Sequence, residues 1–394
     1  MKIIPYLKEN RSFAWLVGSA LVGVFGFSIL TPLTALQLAA MNVEASKIGF
    51  FSAIPWIVVL IISFLIPAWV RRLGFRPMVV AASLLGAIVI PGFLLSGKFW
   101  VWCVVNALFG LSIAIRWVLI ESWVMQTSPS HEKGRFIGLY ETSLALVFAV
   151  GPTFLMVTGI NGPLPFLLTT ILFILSCLLT LMAGSFDVSS SDSFIGQSVR
   201  NAFQGPMEKM DLILMLAGFV AGIHEVGTLS VGPVYGLKRG LPPQWASQVA
   251  ALIGAGSLLA QYPIGILSDR FGVRGPLKGA LLLLLVAPPL LFLVPNLFIS
   301  VGGMGFVWGA VGGGLYTLSM IQMARRYQDL ALIRGTSRVV FAYTLGSVIG
   351  PAIGGWSLEV QPSFGLPLIL IALSLLCAIW ALMTFRAQKG ETFV

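Results

Sequence analysis

What the chain has least of is charge. Asp, Glu, Lys and Arg make up 10% of its 394 residues while apolar residues make up 57%, and so little polar surface cannot cover a globule in water. A soluble domain is excluded. Cysteine is scarce too: Cys103, Cys177 and Cys377 each stand alone in an apolar run, with no C-x-x-C pair or histidine cluster beside them. Neither a disulfide framework nor a metal centre is implied. The nearest approach to a nucleotide-binding loop, GFLLSGKF (92–99), has Phe99 where a hydroxyl would have to hold magnesium. ATP is not implied, no cofactor is expected, and any energy should come from an ion gradient. The net charge of +10 comes without a recognisable nucleic-acid module, its cations being scattered over short loops, so no nucleic-acid partner is expected.

What is present is hydrophobic length. Apolar stretches of about 20 residues, enough to cross a bilayer as a helix, recur twelve times: 13–39, 47–70, 77–96, 100–126, 136–159, 164–184, 212–235, 244–267, 276–294, 298–323, 338–358 and 363–385. The runs are continuous and lack the polar alternation of an outer-membrane barrel, so an all-α membrane protein is predicted. The first run is too long for a signal-peptide core and is expected to remain as a span. Of the 24 Lys and Arg residues, Lys47, Lys98, Lys238 and Arg239 fall on one side, Arg116 falls inside a span, and the rest face the other side. The positive-inside rule makes that side the cytoplasm. Both termini are expected there, in a monomeric multi-pass protein of a bacterial inner membrane.

The chain breaks in composition once, at the Ser-rich segment 184–211, which leaves six spans before and six after. The predicted organisation is a bundle over 1–184, a cytoplasmic linker over 185–211 and a second bundle over 212–394. An internal repeat supports it. IPAWVRRLGFRPM after the second span aligns with IGILSDRFGVRGPL after the eighth, pairing Arg72 with Arg270, Gly74 with Gly272 and Arg76 with Arg274. At nearly the same offset, VGP (150–152) aligns with IGP (349–351). Parallel repeats of this kind mark transporters whose halves enclose a site near the midplane.

GILSDRFGVR (265–274) resembles the G-x-x-x-D-R-x-G-x-R loop signature of the major facilitator superfamily. IPAWVRRLGFR, IESWVMQTSPSHEKGRFIGLYE, AQYPIGILSDRFG and GLYTLSMIQMARR are similar to segments of its YcaD-like bacterial branch. The resemblance implies two pseudo-symmetric six-helix bundles, transport by alternating access, and a cavity lined by the first and fourth helix of each half. Its substrate stays open. The first loop has Arg71 where the second has Asp269, as that branch does.

A charged side chain at bilayer depth is costly and marks a functional position by default. The candidates are Arg116, Glu121, Glu141, His224 and Glu225. At about 1.5 Å of rise per residue, Arg116 lies about 15 Å from the cytoplasmic end of the fourth span and Glu225 about 20 Å up the seventh. Glu121 and Glu141 lie only about 8 Å deep on that scale. Arg116, Glu225, His224 and Glu141 are therefore candidates for substrate binding or proton coupling, Glu225 foremost; a static ion cluster is the alternative. Arginine keeps its proton, so Arg116 is expected to hold an anion or tune a carboxylate. It sits about 140° round the helix from Glu121, which rules out a salt bridge between them.

The resemblance implies a latch on the cytoplasmic side, and Glu121 with Glu141 is expected to meet Arg71, Arg72 or Arg135, with Asp269 and Arg270 forming a second latch. Ser28, Thr31, Thr34 and Gln37 make a polar stripe on the first span, and Asn106 and Trp117 share a face with Glu121 on the fourth. With Trp308 and Tyr316 these are the candidate cavity-lining residues. GSVIGPAIGG (346–355) resembles an element of drug and proton antiporters, although it falls in the eleventh span where the family has it in the fifth. The expected function is secondary active transport of a small organic molecule, coupled to protons or another ion, with export favoured over import. A lipid flippase of the same fold and a non-transporting membrane sensor are the alternatives. No enzyme is expected, since His224 and Glu225 have no nucleophile beside them in the sequence.

Overall fold

The structure, a computed structural model, describes residues 11–127, 133–183, 207–272, 274–327 and 329–387. Helix is the regular structure throughout, with no strand among the described residues. Ten helices there are long and apolar enough to cross a bilayer, and two shorter apolar ones, Leu282–Phe292 and Gly365–Leu376, stand where the ninth and twelfth spans are expected. Lipid leaves the backbone no partner but itself, which is why uninterrupted apolar runs become helices here.

Breaks within the spans follow proline and glycine. The second span ends as Ala45–Ile62, and after a short turn the chain resumes as Ile66–Leu73, with Pro67 in its first turn. The sequence predicts one helix over that stretch. The third span closes in a 3-10 turn, Ile90–Leu94, and the fifth is divided by another, Gly151–Thr153, each carrying a proline near its start, whose missing N–H interrupts the α-helical bonding of the run before it. The eleventh helix begins at Asp329, earlier than the predicted 338, so Arg334 is a helical residue and not a loop residue. The glycines paired by the repeat share a backbone state: Gly74 has φ 84° and Gly272 has φ 63°. A side chain is strained in that region, so both loops turn on a residue that only glycine suits.

The chain divides into two compact units, one of 1–43 with 51–197 and one of 44–50 with 198–394; most of the predicted linker lies outside the described residues. In the first unit, spans one, three, four and six pack together around Phe13, Leu16, Phe75, Val79, Leu119 and Trp123. Phe93 stacks on Phe166 with ring centroids 5.7 Å apart and meets Trp102 edge-on at 5.0 Å. The second unit is built on two close helix pairs. The eighth and tenth spans meet where Gly256 faces the Phe306 carbonyl and Gly309 that of Ile253; the seventh and eleventh meet where Gly222 faces the Tyr343 carbonyl and Gly346 that of Phe219. None of the four has room for a Cβ. Small residues at helix crossings let backbones approach closely, which is how helices associate in lipid.

Candidate functional site

The seventh span is not a regular helix. Lys209–Gly222 passes into a π-helical turn, Ile223–Gly227, before resuming as Thr228–Lys238. Such turns are rare and concentrate at functional sites. This one carries both His224 and Glu225.

The half-buried Glu225 accepts hydrogen bonds from Ser257 Oγ of the eighth span at 2.7 Å and from Tyr343 Oη of the eleventh at 3.0 Å. Gln261 reaches Ser257 at 3.5 Å, and the Tyr343 ring lies 4.9 Å from that of Tyr316 on the tenth span. Gly312 lets that span pass beside the Glu225 backbone. No cation pairs with Glu225 among the described residues. His224, one residue away, turns into the protein: it is fully buried and its Nε2 meets Ser374 Oγ at 2.7 Å. Trp308, expected on a cavity wall, is fully buried against Tyr235, with ring centroids 5.6 Å apart.

In the first unit Arg116 is 4% exposed. Its guanidinium donates to Ser83 Oγ and, at 3.0 Å, to the Ser19 carbonyl, and it lies 5.5 Å from the centre of the Phe173 ring. Ser19 Oγ in turn meets Ser176 Oγ at 3.0 Å and Thr180 Oγ1 at 2.7 Å. Arg116 is thus held by spans one, three and six, and every partner is neutral. Glu121 does not pair with it; Glu121 Oε2 accepts from Trp117 Nε1 at 2.9 Å, one turn back. Trp117 also packs on Trp56, with ring centroids at 5.4 Å. The buried Tyr140 lies within electrostatic range of Arg116, Glu121 and Glu141.

The other expected residues are spread out. Asn106 is buried and donates to the Phe51 carbonyl at 2.8 Å, and Gln37 donates to that of Ile160 at 2.6 Å. Glu141, Arg71, Arg72 and Arg270 are exposed. The side chains of Arg135 and Asp269 lie outside the described residues.

Sequence reading missed two groups. Ser257, Tyr343, Ser19 and Ser83 carry no local signal, because an isolated hydroxyl in an apolar helix usually bonds its own backbone. The other is a polar cluster where the seventh span begins. Arg338 donates to Asp211 at 2.6 Å with both side chains buried, and Tyr327 donates to the other Asp211 oxygen at 2.7 Å. Partial burial, then the Asp211 carboxylate, raise the Tyr327 phenol above its usual pKa. Breaking such a pair would strand a charge, a cost of about 3–5 kcal/mol.

Comparison with known proteins agrees with this architecture. The family model for the Major Facilitator Superfamily matches residues 16–258 and 214–392. The MFS-type transporter YfkF of Bacillus subtilis is 26% identical over 377 residues, 94% of each chain. YcaD of Salmonella heidelberg, also described as an MFS-type transporter, is 25% identical over 401 residues, 97% of each. Among solved structures, the nucleoside transporter NupG aligns with a TM-score of 0.74 at 12% identity, covering 96% of this chain and 100% of that one. A bacterial homologue of the human lysosomal transporter Spinster, inward-facing and unoccupied, gives 0.73 at 13% identity with 96% of each covered. At those identities the two structures speak for the fold alone. With two helical units, a repeated loop, ten helices among the described residues long and apolar enough to cross a bilayer and a family match along nearly its whole length, the chain belongs to the Major Facilitator Superfamily of membrane transporters.

Proposed function

We propose that this protein is a proton-coupled secondary active transporter, an exporter that moves a small organic molecule across a bacterial inner membrane by alternating access, with both termini cytoplasmic. Glu225 is the group that takes up and releases the proton. The observation that carries this reading is a half-buried carboxylate in a π-helical turn of a membrane span, held by Ser257 and Tyr343 and paired with no cation among the described residues. A carboxylate at that depth either meets a positive charge or takes a proton, and on this reading Glu225 does so by turns. His224, bound inside on Ser374, is the lesser candidate. GSVIGPAIGG resembles an antiporter element but stands in the eleventh span and not the fifth, which weakens its pointer to export; its Gly346 and Gly350 press against Phe219, Ile223 and Gly227 around the turn that bears Glu225. Glu121, with Glu141, is the carboxylate of a cytoplasmic gate that meets Arg71, Arg72 or Arg135 when that side closes, and Asp269 with Arg270 is the latch of the second half.

The test is proton flux in proteoliposomes carrying a pH-sensitive dye, screened against a panel of metabolites and amphipathic drugs. A ligand that drives flux in the wild type should drive none in Glu225→Gln, whose folding is checked by its thermal melt. Flux that persists in Glu225→Gln makes the carboxylate structural and sinks the assignment. Arg116→Ala, run beside it, should lose folded protein before it loses coupling.

A further inference from the structure

The partners of Glu225 also bear on what the site accepts. Ser257 Oγ and Tyr343 Oη both spend their protons on the carboxylate, and the Gln261 amide is directed at Ser257. The two hydroxyl donors nearest the carboxylate, which a sugar, a nucleoside or an anion would need, are thereby engaged. What the site offers is acceptor capacity on Glu225 and the aromatic surface of Tyr343 and Tyr316, two rings 4.9 Å apart and inclined at 55°. A carboxylate beside aromatic faces is complementary to a cation with apolar bulk. A bare metal ion would want several oxygen ligands, and one carboxylate with committed hydroxyls falls short of that.

Resting on the reading that Glu225 is the transport carboxylate, we infer that the substrate is a monovalent organic cation with aromatic or aliphatic bulk, seated on Glu225 against the touching rings of Tyr316 and Tyr343 in competition with the proton. One carboxylate then serves two cations that exclude each other. The groups around it leave it the titrating member of the set: Tyr343 from the eleventh span, Tyr316 from the tenth, and His224 on its own turn but directed at Ser374 of the twelfth. The eighth span contributes Ser257 and Gln261, neither of which titrates in water. No bond is made or broken beyond the carboxyl O–H, whose proton goes to solvent as the cation arrives.

The probes are tetraphenylphosphonium and tetraphenylborate, nearly identical in size and shape and opposite in charge, measured by equilibrium binding to the purified full-length protein with proton release followed in weak buffer. The phosphonium should bind at least tenfold tighter than the borate and release one proton, so that its affinity rises about tenfold per pH unit over the titrating range. Glu225→Gln should cost at least tenfold in affinity and abolish proton release. Tyr316→Leu should cost severalfold and leave the release intact. Glu225→Asp, with an unchanged thermal melt, controls for folding by keeping charge selectivity. Borate binding as tight as the phosphonium, no phosphonium binding at any pH, or unchanged affinity in Glu225→Gln overturns the cation assignment. If the phosphonium needs Glu225 but releases no proton, the substrate class stands and the proton reading falls. If ligand-driven proton flux depends on Glu225 but only neutral or anionic ligands drive it, the reverse holds.

Discussion

Arg116 and Glu225 were both visible in the sequence as charges inside apolar runs, yet their surroundings separate them. Arg116 is enclosed by a serine hydroxyl, a backbone carbonyl and an aromatic ring drawn from three spans, which suits the planar, forked guanidinium and not an ammonium. Arg116→Lys is therefore expected to destabilise the protein by about 2–3 kcal/mol, the scale of a lost hydrogen bond to a charged donor. Thermal unfolding of the purified variant measures this, and an unchanged melt would show that charge alone is needed. Depth along a helix was legible because it requires only counting. Partners were not, since Ser83, Ser257 and Tyr343 look like dozens of other hydroxyl residues until three-dimensional packing selects them. The same limit explains Trp308, whose size and position in a glycine-rich span say nothing about which way it faces.

At the scale of the element, glycine carries more information than any hydrophobic residue here. The seventh and eleventh spans touch through Gly222 and Gly346, each set against a carbonyl of the other helix, and Gly227 meets Gly350 beside the π-helical turn. A methyl group at Gly346 would have to push the Phe219 carbonyl away. Gly346→Ala should cost about 1–3 kcal/mol as overpacking and should disturb the turn that aims Glu225. A melt lowered by several degrees together with weakened ligand response is the expected result; a variant with both at wild-type values would mean that the helices separate without consequence. The glycine-rich GSVIGPAIGG segment was conspicuous in the sequence, but its contacts were not, because a glycine needed for close approach and one needed for a bend are spelled alike. The π-helical turn had no signature at all: the added residue shows only when the helix is traced.

For the molecule as a whole, the sequence carried the span pattern, the repeat and the family, since lipid forces helices and duplication leaves paired motifs such as those around Gly74 and Gly272. It carried the gate less well. Glu121 rests on Trp117 of its own helix, while Arg71 and Arg72 are exposed with no ion pair among the described residues. If these groups meet during the transport cycle, Glu121→Gln will loosen the cytoplasmic closure. Maleimide labelling of Leu73→Cys in a cysteine-free background should then speed up severalfold in Glu121→Gln, and an unchanged rate would rule the gate out. That no cation pairs with Glu225 among the described residues has one more consequence for the cycle. With neither proton nor substrate bound, the carrier would have to turn over with an unneutralised negative charge in the low-dielectric interior, a penalty on the order of 2.5–3.5 kcal/mol on lenient insertion scales. On the proposed reading the empty form stalls, so proton and cargo cross only in exchange for one another and the resting protein does not short-circuit the gradient that drives it.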